Sequence, residues 1–336
     1  MTLLLAGDIG GTKTLLSLYR LDAAGQLSLL CSRRYGSADW PDLAPLLSRF
    51  LEDSRSESGG EGPAAATLAV AGPVQQGRAR LTNLPWQLEE GHLAAACGIP
   101  RLELVNDFAV LIYGLPHLGT DQRATIRAGQ PDASAPRLVV GAGTGLGVAY
   151  GIPTALGLQA VASEAGHAEF AACTAAEWQL RQWLIEDLAL ERLSIERVVS
   201  GTGLGHVARW QLRNEHPAGD HPLCREQSDL PAAVAAAAAT GDPLARRALE
   251  LWLTAYGRVC GDLTLAGLCR GGVWLAGGTA GKLLGELQGS LFSMAFLAKG
   301  RLRAALEPIP ITAVTDPEIG TFSAACRARM LLAADG

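Results

Sequence analysis

The chain of 336 residues contains no cysteines at short spacing. Its seven cysteines are scattered along the sequence: Cys31, Cys97, Cys173, Cys224, Cys260, Cys269 and Cys326. A disulfide framework or a thiolate zinc site needs an even or closely spaced set, so neither is expected. The simplest interpretation is a set of reduced thiols in a cytoplasmic protein.

Long basic runs and long apolar runs are also missing. Lys and Arg number 28 against 33 Asp and Glu, which gives a net charge of −5. This balance argues against nucleic acid and anionic membrane surfaces as partners. No stretch approaches the roughly 20 apolar residues of a membrane span, and the first residues lack the basic region of a signal peptide. We therefore expect a soluble protein that binds small molecules.

Aromatic residues are few, at 5%, whereas glycine is abundant, with 40 residues. Hydrophobic residues make up 49% of the chain, which is enough for a sizeable core and excludes a disordered protein. The length suggests two domains or one large one. Many glycines and few aromatics favour an α/β protein with many tight turns.

Two segments of the chain share one pattern, in which a glycine-rich turn joins two strands. The first joins strands at 3–7 and 14–19, and the second joins strands at 138–140 and 148–150. Such a repetition is typical of two similar halves.

The remaining pattern mixes strands and helices. Strands are predicted at 27–34, 66–71, 102–105 and 273–276, helices at 41–50, 89–97, 175–190, 232–239 and 244–269, and polar surface loops at 52–62 and 209–228. Asp242 and Pro243 are expected to start the last of these helices, with the proline at its first position.

Both glycine-rich turns are candidate phosphate-binding loops. A strand follows each of them, which excludes the P-loop and the dinucleotide fingerprint, since both need a helix there. Glycine lets backbone N–H groups approach an anion closely. The candidate residues are Gly10, Gly11, Thr12, Gly143 and Thr144. Ordinary hairpin turns are the alternative.

Other candidates follow strands. Asp8 ends the first strand, where a carboxylate could hold Mg²⁺ directly or through water. Gly277 and Gly278 follow the strand 273–276 and would let an adenine lie against the backbone. Asn106 and Asp107 follow the strand 102–105, at the edge where α/β proteins bind ligands. Asp107 could accept a proton from a hydroxyl, and Asn106 could fix a neighbouring one, although helix capping by either side chain is the simpler explanation of the pair taken alone.

Glu164 and His167 lie in a loop of small residues, where they could bind the vicinal hydroxyls of a sugar. No further ligands complete a zinc site around them. Glu196 could be a third such group, although an isolated glutamate is more often a solvated surface residue.

Taken together, these motifs resemble those of bacterial ATP-dependent glucokinases, from residue 7 to about 325. The resemblance rests on the segments 8–12, 106–108, 141–147, 163–167 and 196–201, supported by 71–74 and by Thr82 and Asn83. It implies an actin-like, ribonuclease-H-like α/β fold of two domains around a central cleft. It also implies a small domain of residues 1–115 and 317–336, with a large domain of residues 116–316.

The resemblance assigns roles as well. Asn106, Asp107, Glu164, His167 and Glu196 would bind glucose, with Asp107 as the general base for phosphorylation of its 6-hydroxyl. The two turns would bind the phosphates of ATP, Gly277 and Gly278 would lie beside the adenosine, and Mg²⁺ would be required. A homodimer is also expected.

Two departures from the family pattern concern the sugar loop and zinc. Ser163 and Ala165 replace the usual glycines around Glu164, so another hexose (mannose, fructose or an amino sugar) is an alternative substrate. The cysteine-rich zinc motif of the related repressor and kinase family is missing after His167, and no zinc is expected. A non-enzymatic actin-like ATPase is a more distant alternative, and the short stretch before Asp8 argues against a DNA-binding repressor.

Overall fold

The computed structural model describes residues 2–81, 84–226 and 229–333. Contacts within the chain divide it into two compact units. The first comprises Met1–Leu118, Thr154–Ala162 and Asp316–Gly336, and the second Gly119–Pro153 and Ser163–Thr315. The segment 154–162 belongs to the first unit, whereas the division expected from the sequence places it in the large domain of residues 116–316.

The first unit is built on a five-stranded sheet in the order β3-β2-β1-β4-β8, with a small sheet in the order β5-β6-β7. Its elements are β1 (Thr2–Ile9), β2 (Lys13–Leu21), β3 (Leu27–Gly36), α1 (Leu43–Asp53), α2 (Arg55–Ser58), β4 (Ala65–Val70), β5 (Val74–Gln75), β6 (Arg78–Arg80), β7 (Gln87–Glu89), α3 (Glu90–Cys97), β8 (Leu102–Asn106), α4 (Leu111–Gly114) and, at the end of the chain, α13 (Ile319–Ala333).

Both faces of this sheet are covered. β1 is apolar along almost its whole length, and Leu4 and Leu5 are fully buried on opposite faces. The helix α13 packs on β1 and β4 with small residues such as Ala324 and Ala325. β1, β4 and β8 run parallel. Asp8 and Asn106 therefore lie at the carboxyl edge of the sheet, which is the edge where α/β proteins bind ligands.

The second unit contains most of a mixed six-stranded sheet, whose strand order is β12-β11-β10-β13-β14-β9, with helices around it. Its elements are β9 (Arg123–Arg127), β10 (Arg137–Ala142), β11 (Leu146–Thr154), β12 (Gly157–Ser163, mostly in the first unit), α5 (Ala175–Asp187), α6 (Gly201–Glu215), α7 (Leu230–Ala239), α8 (Pro243–Ala266), β13 (Val273–Ala276), α9 (Gly278–Lys282), α10 (Leu284–Leu287), α11 (Ser290–Leu297), α12 (Arg303–Leu306) and β14 (Ile311–Val314).

The helices of this unit begin at polar capping residues. Ser200 caps α6, Asp229 caps α7 and Asp242 caps α8, each accepting a hydrogen bond from a backbone N–H in the first turn. Pro243 occupies the first position of α8, as the sequence predicted. The caps fix where each helix starts. The apolar faces of the helices then pack into a single core around Trp252 and Tyr256.

Two of the predicted loops were wrong. The stretch 52–62 contains the end of α1 and the short helix α2. The stretch 209–228 begins inside α6, which continues to Glu215 because Trp210 and Leu212 pack in the core. His221, which lies in the same stretch, is buried, and its Nε2 lies 3.1 Å from Oδ2 of Asp242. At Trp210, Leu212 and His221, long-range packing overrides the polarity of the local sequence.

A buried ion pair joins α5 to α8. The carboxylate of Glu177 is 1% exposed and pairs with the guanidinium of Arg258. It also accepts hydrogen bonds from the backbone N–H groups of Cys173 and Thr174. Because removal of one partner leaves a buried charge without compensation, Glu177→Ala is expected to lower the free energy of unfolding by about 3–5 kcal/mol.

Urea denaturation followed by circular dichroism measures this loss. Glu169→Ala is the matched control, since Glu169 forms an exposed ion pair with Arg181 and should cost less than about 1 kcal/mol. Equal losses for the two variants would contradict the importance of burial at Glu177.

Candidate active site

In the first unit, the turn between β1 and β2 is a tight hairpin of small residues. The N–H of Gly10 donates to the carbonyl of Lys13 over 3.0 Å, and a Cβ atom on Gly10 would lie 2.9 Å from that same carbonyl. Ser37, directly after β3, braces the turn by donating through its hydroxyl to the carbonyl of Gly10. Thr12 and Lys13 are exposed at the tip. The turn is thus held rigidly with its tip open to solvent.

Asp8 lies at the end of β1, next to this turn. Burial raises the pKa of its carboxyl group above the usual value. Its Oδ2 lies close to Gly320 in the first turn of α13, 3.5 Å from where a Cβ atom would be. A carboxylate that is partly desolvated in this way would be stabilised by a cation, and Mg²⁺ takes oxygen ligands while it retains several waters. The residue therefore fits a magnesium ion.

Asn106 and Asp107 follow β8 in the same unit. The side-chain oxygen of Asn106 accepts from the N–H groups of Phe108 and Ala109. Its Nδ2 donates to the carbonyl of Gly72 at 3.1 Å and to Oδ1 of Asp107 at 3.0 Å. The side chain of Asn106 therefore holds the turn at 107–110 and does not cap a helix, since α4 begins only at Leu111, and its amide is occupied by protein groups. Its effect is to orient the carboxylate of Asp107.

In the second unit, the turn between β10 and β11 is braced by two helices. The N–H of Gly143 donates to the carbonyl of Gly145 over 2.9 Å. The first residues of α6 hold the turn, since Gly201 donates to the carbonyl of Gly143 and the hydroxyl of Thr202 to the carbonyl of Thr144. On the β10 side, the hydroxyl of Thr279 in α9 donates to the carbonyl of Ala142.

Three of the predicted sugar-binding residues lie together in this unit. His167 closes a single helical turn that begins after Glu164, and its Nε2 lies 3.7 Å from Oε2 of Glu164. Its Nδ1 lies 3.4 Å from Oε1 of Glu196. Glu164 and His167 are mostly exposed, whereas the side chain of Glu196 is 21% exposed. The arrangement presents two carboxylates and an imidazole to solvent, a set that can bind several hydroxyl groups.

A cavity of about 430 Å³ adjoins the turn between β10 and β11, a size within the usual range for small-molecule sites. Gly143, Thr144 and Gly278, all predicted to contact ATP, line it. Gly277 lies just outside it with a positive φ of 81°, and a Cβ atom there would lie 3.0 Å from the carbonyl of Ala142. The glycine lets the chain turn tightly from β13 into α9, at the edge of the cavity.

Several residues that line the cavity were not identified from the sequence. They are Thr202 on α6, Asp229, Ala232 and Ala235 on and before α7, and Thr279 and Lys282 on α9. The side chains of Ala232 and Ala235 leave room for a planar group, and Lys282 supplies a positive charge. The one feature of the sequence that could have pointed to these residues was Ser200-Gly201, a capping serine followed by a glycine at the start of α6. The cavity is large enough for a small-molecule ligand such as a nucleotide, and it carries a positive charge and several backbone N–H groups at its rim.

Within residues 2–81, 84–226 and 229–333, no group of three or more His, Cys, Asp or Glu side chains is placed to hold a metal ion. Among the described helices, none combines the length and the apolar character that a membrane-spanning helix requires.

Comparison with known proteins identifies the family. The glucokinase family model matches residues 5–331. A glucokinase of Trichormus variabilis is 40% identical to this chain over 347 residues, which covers 98% of the chain and 100% of the relative. The chain belongs to the glucokinase family. It is accordingly an ATP-dependent kinase of glucose, as the sequence motifs predicted.

Solved structures agree with this assignment. A glucokinase from an Antarctic psychrotroph superposes with a TM-score of 0.83 at 30% identity, covering 98% of this chain and 99% of that one. A Balamuthia mandrillaris glucokinase solved with glucose has a TM-score of 0.76 at 23% identity, covering 98% and 94%. The predicted actin-like fold of two α/β domains is confirmed. Thr82 and Asn83, which contributed to the resemblance, lie outside the described residues.

Proposed function

We propose that the chain transfers the γ-phosphoryl group of Mg-ATP to the 6-hydroxyl of glucose, with Asp107 as the general base. The sugar oxygen forms a bond to the γ-phosphorus, and the bond from that phosphorus to the bridging oxygen breaks. The hydroxyl proton moves to the carboxylate of Asp107. The products are glucose 6-phosphate and ADP.

The observation that carries this proposal is the carboxylate of Asp107, which the amide of Asn106 holds at the carboxyl end of β8. An oriented general base contributes about 10²–10⁴-fold to the rate. The rest of the acceleration comes from alignment of the two substrates and from neutralisation of the phosphate charge.

Glu164, His167 and Glu196 are proposed to bind the hydroxyl groups of glucose. Their support is the geometry of the trio, in which the imidazole lies between two carboxylates. Carboxylates accept hydrogen bonds from hydroxyl groups, and charge-assisted bonds of this kind are the stronger class. The trio therefore fixes the sugar and leaves the proton transfer to Asp107.

The two turns are proposed to bind ATP. Gly10, Gly11 and Thr12 would donate backbone and hydroxyl hydrogen bonds to phosphate, and Gly143 and Thr144 would do so from the cavity. Gly277 and Gly278 would lie by the adenosine. Asp8 would hold Mg²⁺, directly or through water, and the ion would supply charge neutralisation on the phosphates.

A panel of sugars tests the proposal. Phosphorylation with Mg-ATP is measured by a coupled assay on glucose, mannose, fructose, glucosamine and N-acetylglucosamine at matched concentrations. A dominant rate with glucose is expected. If another sugar were preferred, the effect of Ser163 and Ala165 on the sugar loop would be the first explanation to test. If no sugar were phosphorylated while ATP still bound, the proposed reaction would be wrong.

A further inference from the structure

The turn between β10 and β11, which lines the nucleotide cavity, also touches a residue of the sugar trio. A Cβ atom on Gly145 would lie 2.7 Å from Oε2 and 3.8 Å from Cδ of Glu196. The carboxylate therefore rests against the bare backbone of the turn. Its other oxygen, Oε1, is the one that lies 3.4 Å from His167.

A second connection runs through the start of α6. The hydroxyl of Ser200 donates to the carbonyl of Glu196 over 2.6 Å and accepts from the N–H of Gly203 over 2.9 Å. Ser200 is fully buried, and its own carbonyl accepts from the indole of Trp252. The next residue, Gly201, donates to the carbonyl of Gly143 over 2.7 Å. Glu196 and the turn are thus held together by one rigid helix start.

We propose that Gly145 is a positioning residue, through which the nucleotide-binding turn sets the place of the Glu196 carboxylate and couples nucleotide binding to glucose binding. This inference rests on the proposed function, since it takes Glu196 as a glucose ligand and the cavity as the nucleotide site. Glycine is required at position 145 because any side chain would occupy the space of the carboxylate. A ligand that shifts the turn thereby shifts Glu196.

Gly145→Ala is a clean test of the contact. The backbone at Gly145 does not have a positive φ, so alanine introduces no conformational strain there. The atom that the new methyl group meets is the end of a flexible side chain, which can move without unfolding the protein. The dissociation constant of glucose, measured by titration calorimetry, is expected to rise about three- to tenfold, the usual size of a lost hydrogen bond.

A double-mutant cycle distinguishes positioning from a general effect on structure. In the Glu196→Ala background the methyl group meets nothing, so Gly145→Ala should change the glucose affinity by less than about twofold. Equal effects of Gly145→Ala in both backgrounds would overturn the inference. If Glu196→Ala alone left glucose binding unchanged, the proposed sugar pocket itself would be wrong. If Glu196→Ala weakened glucose binding and Gly145→Ala did not, the positioning role of Gly145 would be wrong and the proposed sugar pocket would stand.

Two other glycine substitutions serve as matched controls. A Cβ atom on Gly143, in the same turn, meets nothing within 4 Å. Gly143→Ala should weaken the binding of ADP but leave glucose binding without nucleotide within about twofold of the parent. Gly285→Ala, on α10 and equally free of contacts, should change neither affinity. If Gly143→Ala weakened glucose binding as much as Gly145→Ala did, the effect would not come from the contact between Gly145 and Glu196, and the inference would be overturned.

The coupling itself is measured by titrating glucose with and without saturating ADP. Linked sites typically change each other's affinity about 5- to 150-fold, and a change of at least about fivefold is expected in the parent protein. The ratio of the two dissociation constants of glucose, without and with ADP, should move towards one in Gly145→Ala. A ratio of one in the parent, or an unchanged ratio in Gly145→Ala, would overturn the coupling.

Discussion

Asp107→Ala is expected to lower kcat about 10²–10⁴-fold, with the dissociation constant of glucose changed only a few-fold. The carboxylate is the proposed acceptor of the 6-hydroxyl proton, and alanine provides no acceptor. Sugar binding persists because Glu164, His167 and Glu196 still supply its hydrogen bonds. Steady-state kinetics gives kcat, and titration calorimetry gives the affinity.

Asp53→Asn is a suitable control for this experiment. Asp53 is a carboxylate of the same unit that forms an exposed ion pair with Arg49 on α1. Its loss should leave kcat unchanged, whereas near-normal turnover in Asp107→Ala would remove Asp107 from the role of base. A parallel loss of glucose binding and kcat would instead make Asp107 a binding residue.

The second large effect concerns glucose affinity. His167→Ala is expected to raise the KM for glucose about 10- to 100-fold, while kcat changes much less. Hydrogen bonds to charged groups contribute about 1.5–3 kcal/mol each, and about 1.4 kcal/mol corresponds to a factor of ten. The imidazole also lies between Glu164 and Glu196, so its removal takes away the group that both of these carboxylates contact.

The corresponding control is His92→Ala, at an exposed histidine of α3. It should change neither KM nor kcat. Glu164→Ala should raise the KM in the same direction as His167→Ala, because both belong to the trio. An unchanged KM for glucose in both trio variants would contradict the proposed pocket.

Much of the local structure was predictable from short segments. The two glycine-rich turns, the strands that flank them and the start of α8 at Asp242 and Pro243 all lie where the sequence predicted them. Each depends on interactions between residues a few positions apart, such as hairpin hydrogen bonds and helix caps, so neighbouring residues suffice to predict it. The predictions failed where polarity was misleading, as at 209–228, whose first part is the buried end of α6.

The candidate site shows the same division. Glu196 looked like a solvated surface carboxylate in isolation, and the sequence grouped it with the sugar-binding candidates only through the family resemblance. The structure supplies the physical connection, since it sets the carboxylate beside His167 and Gly145. Asn106 was a candidate both for capping and for sugar binding, and only the structure shows that its amide is bonded to Gly72 and Asp107.

The sequence by itself determined the two glycine-rich hairpins, most of the longer strands and helices and the family motifs of this protein, because these follow from residue types at short spacing. Tertiary structure alone decided which of those residues meet. It placed Thr202, Ala235 and Lys282 around one cavity with Gly143, and it set Gly145 against Glu196. Such contacts join distant segments through the packing of helices and sheets, which no local pattern specifies.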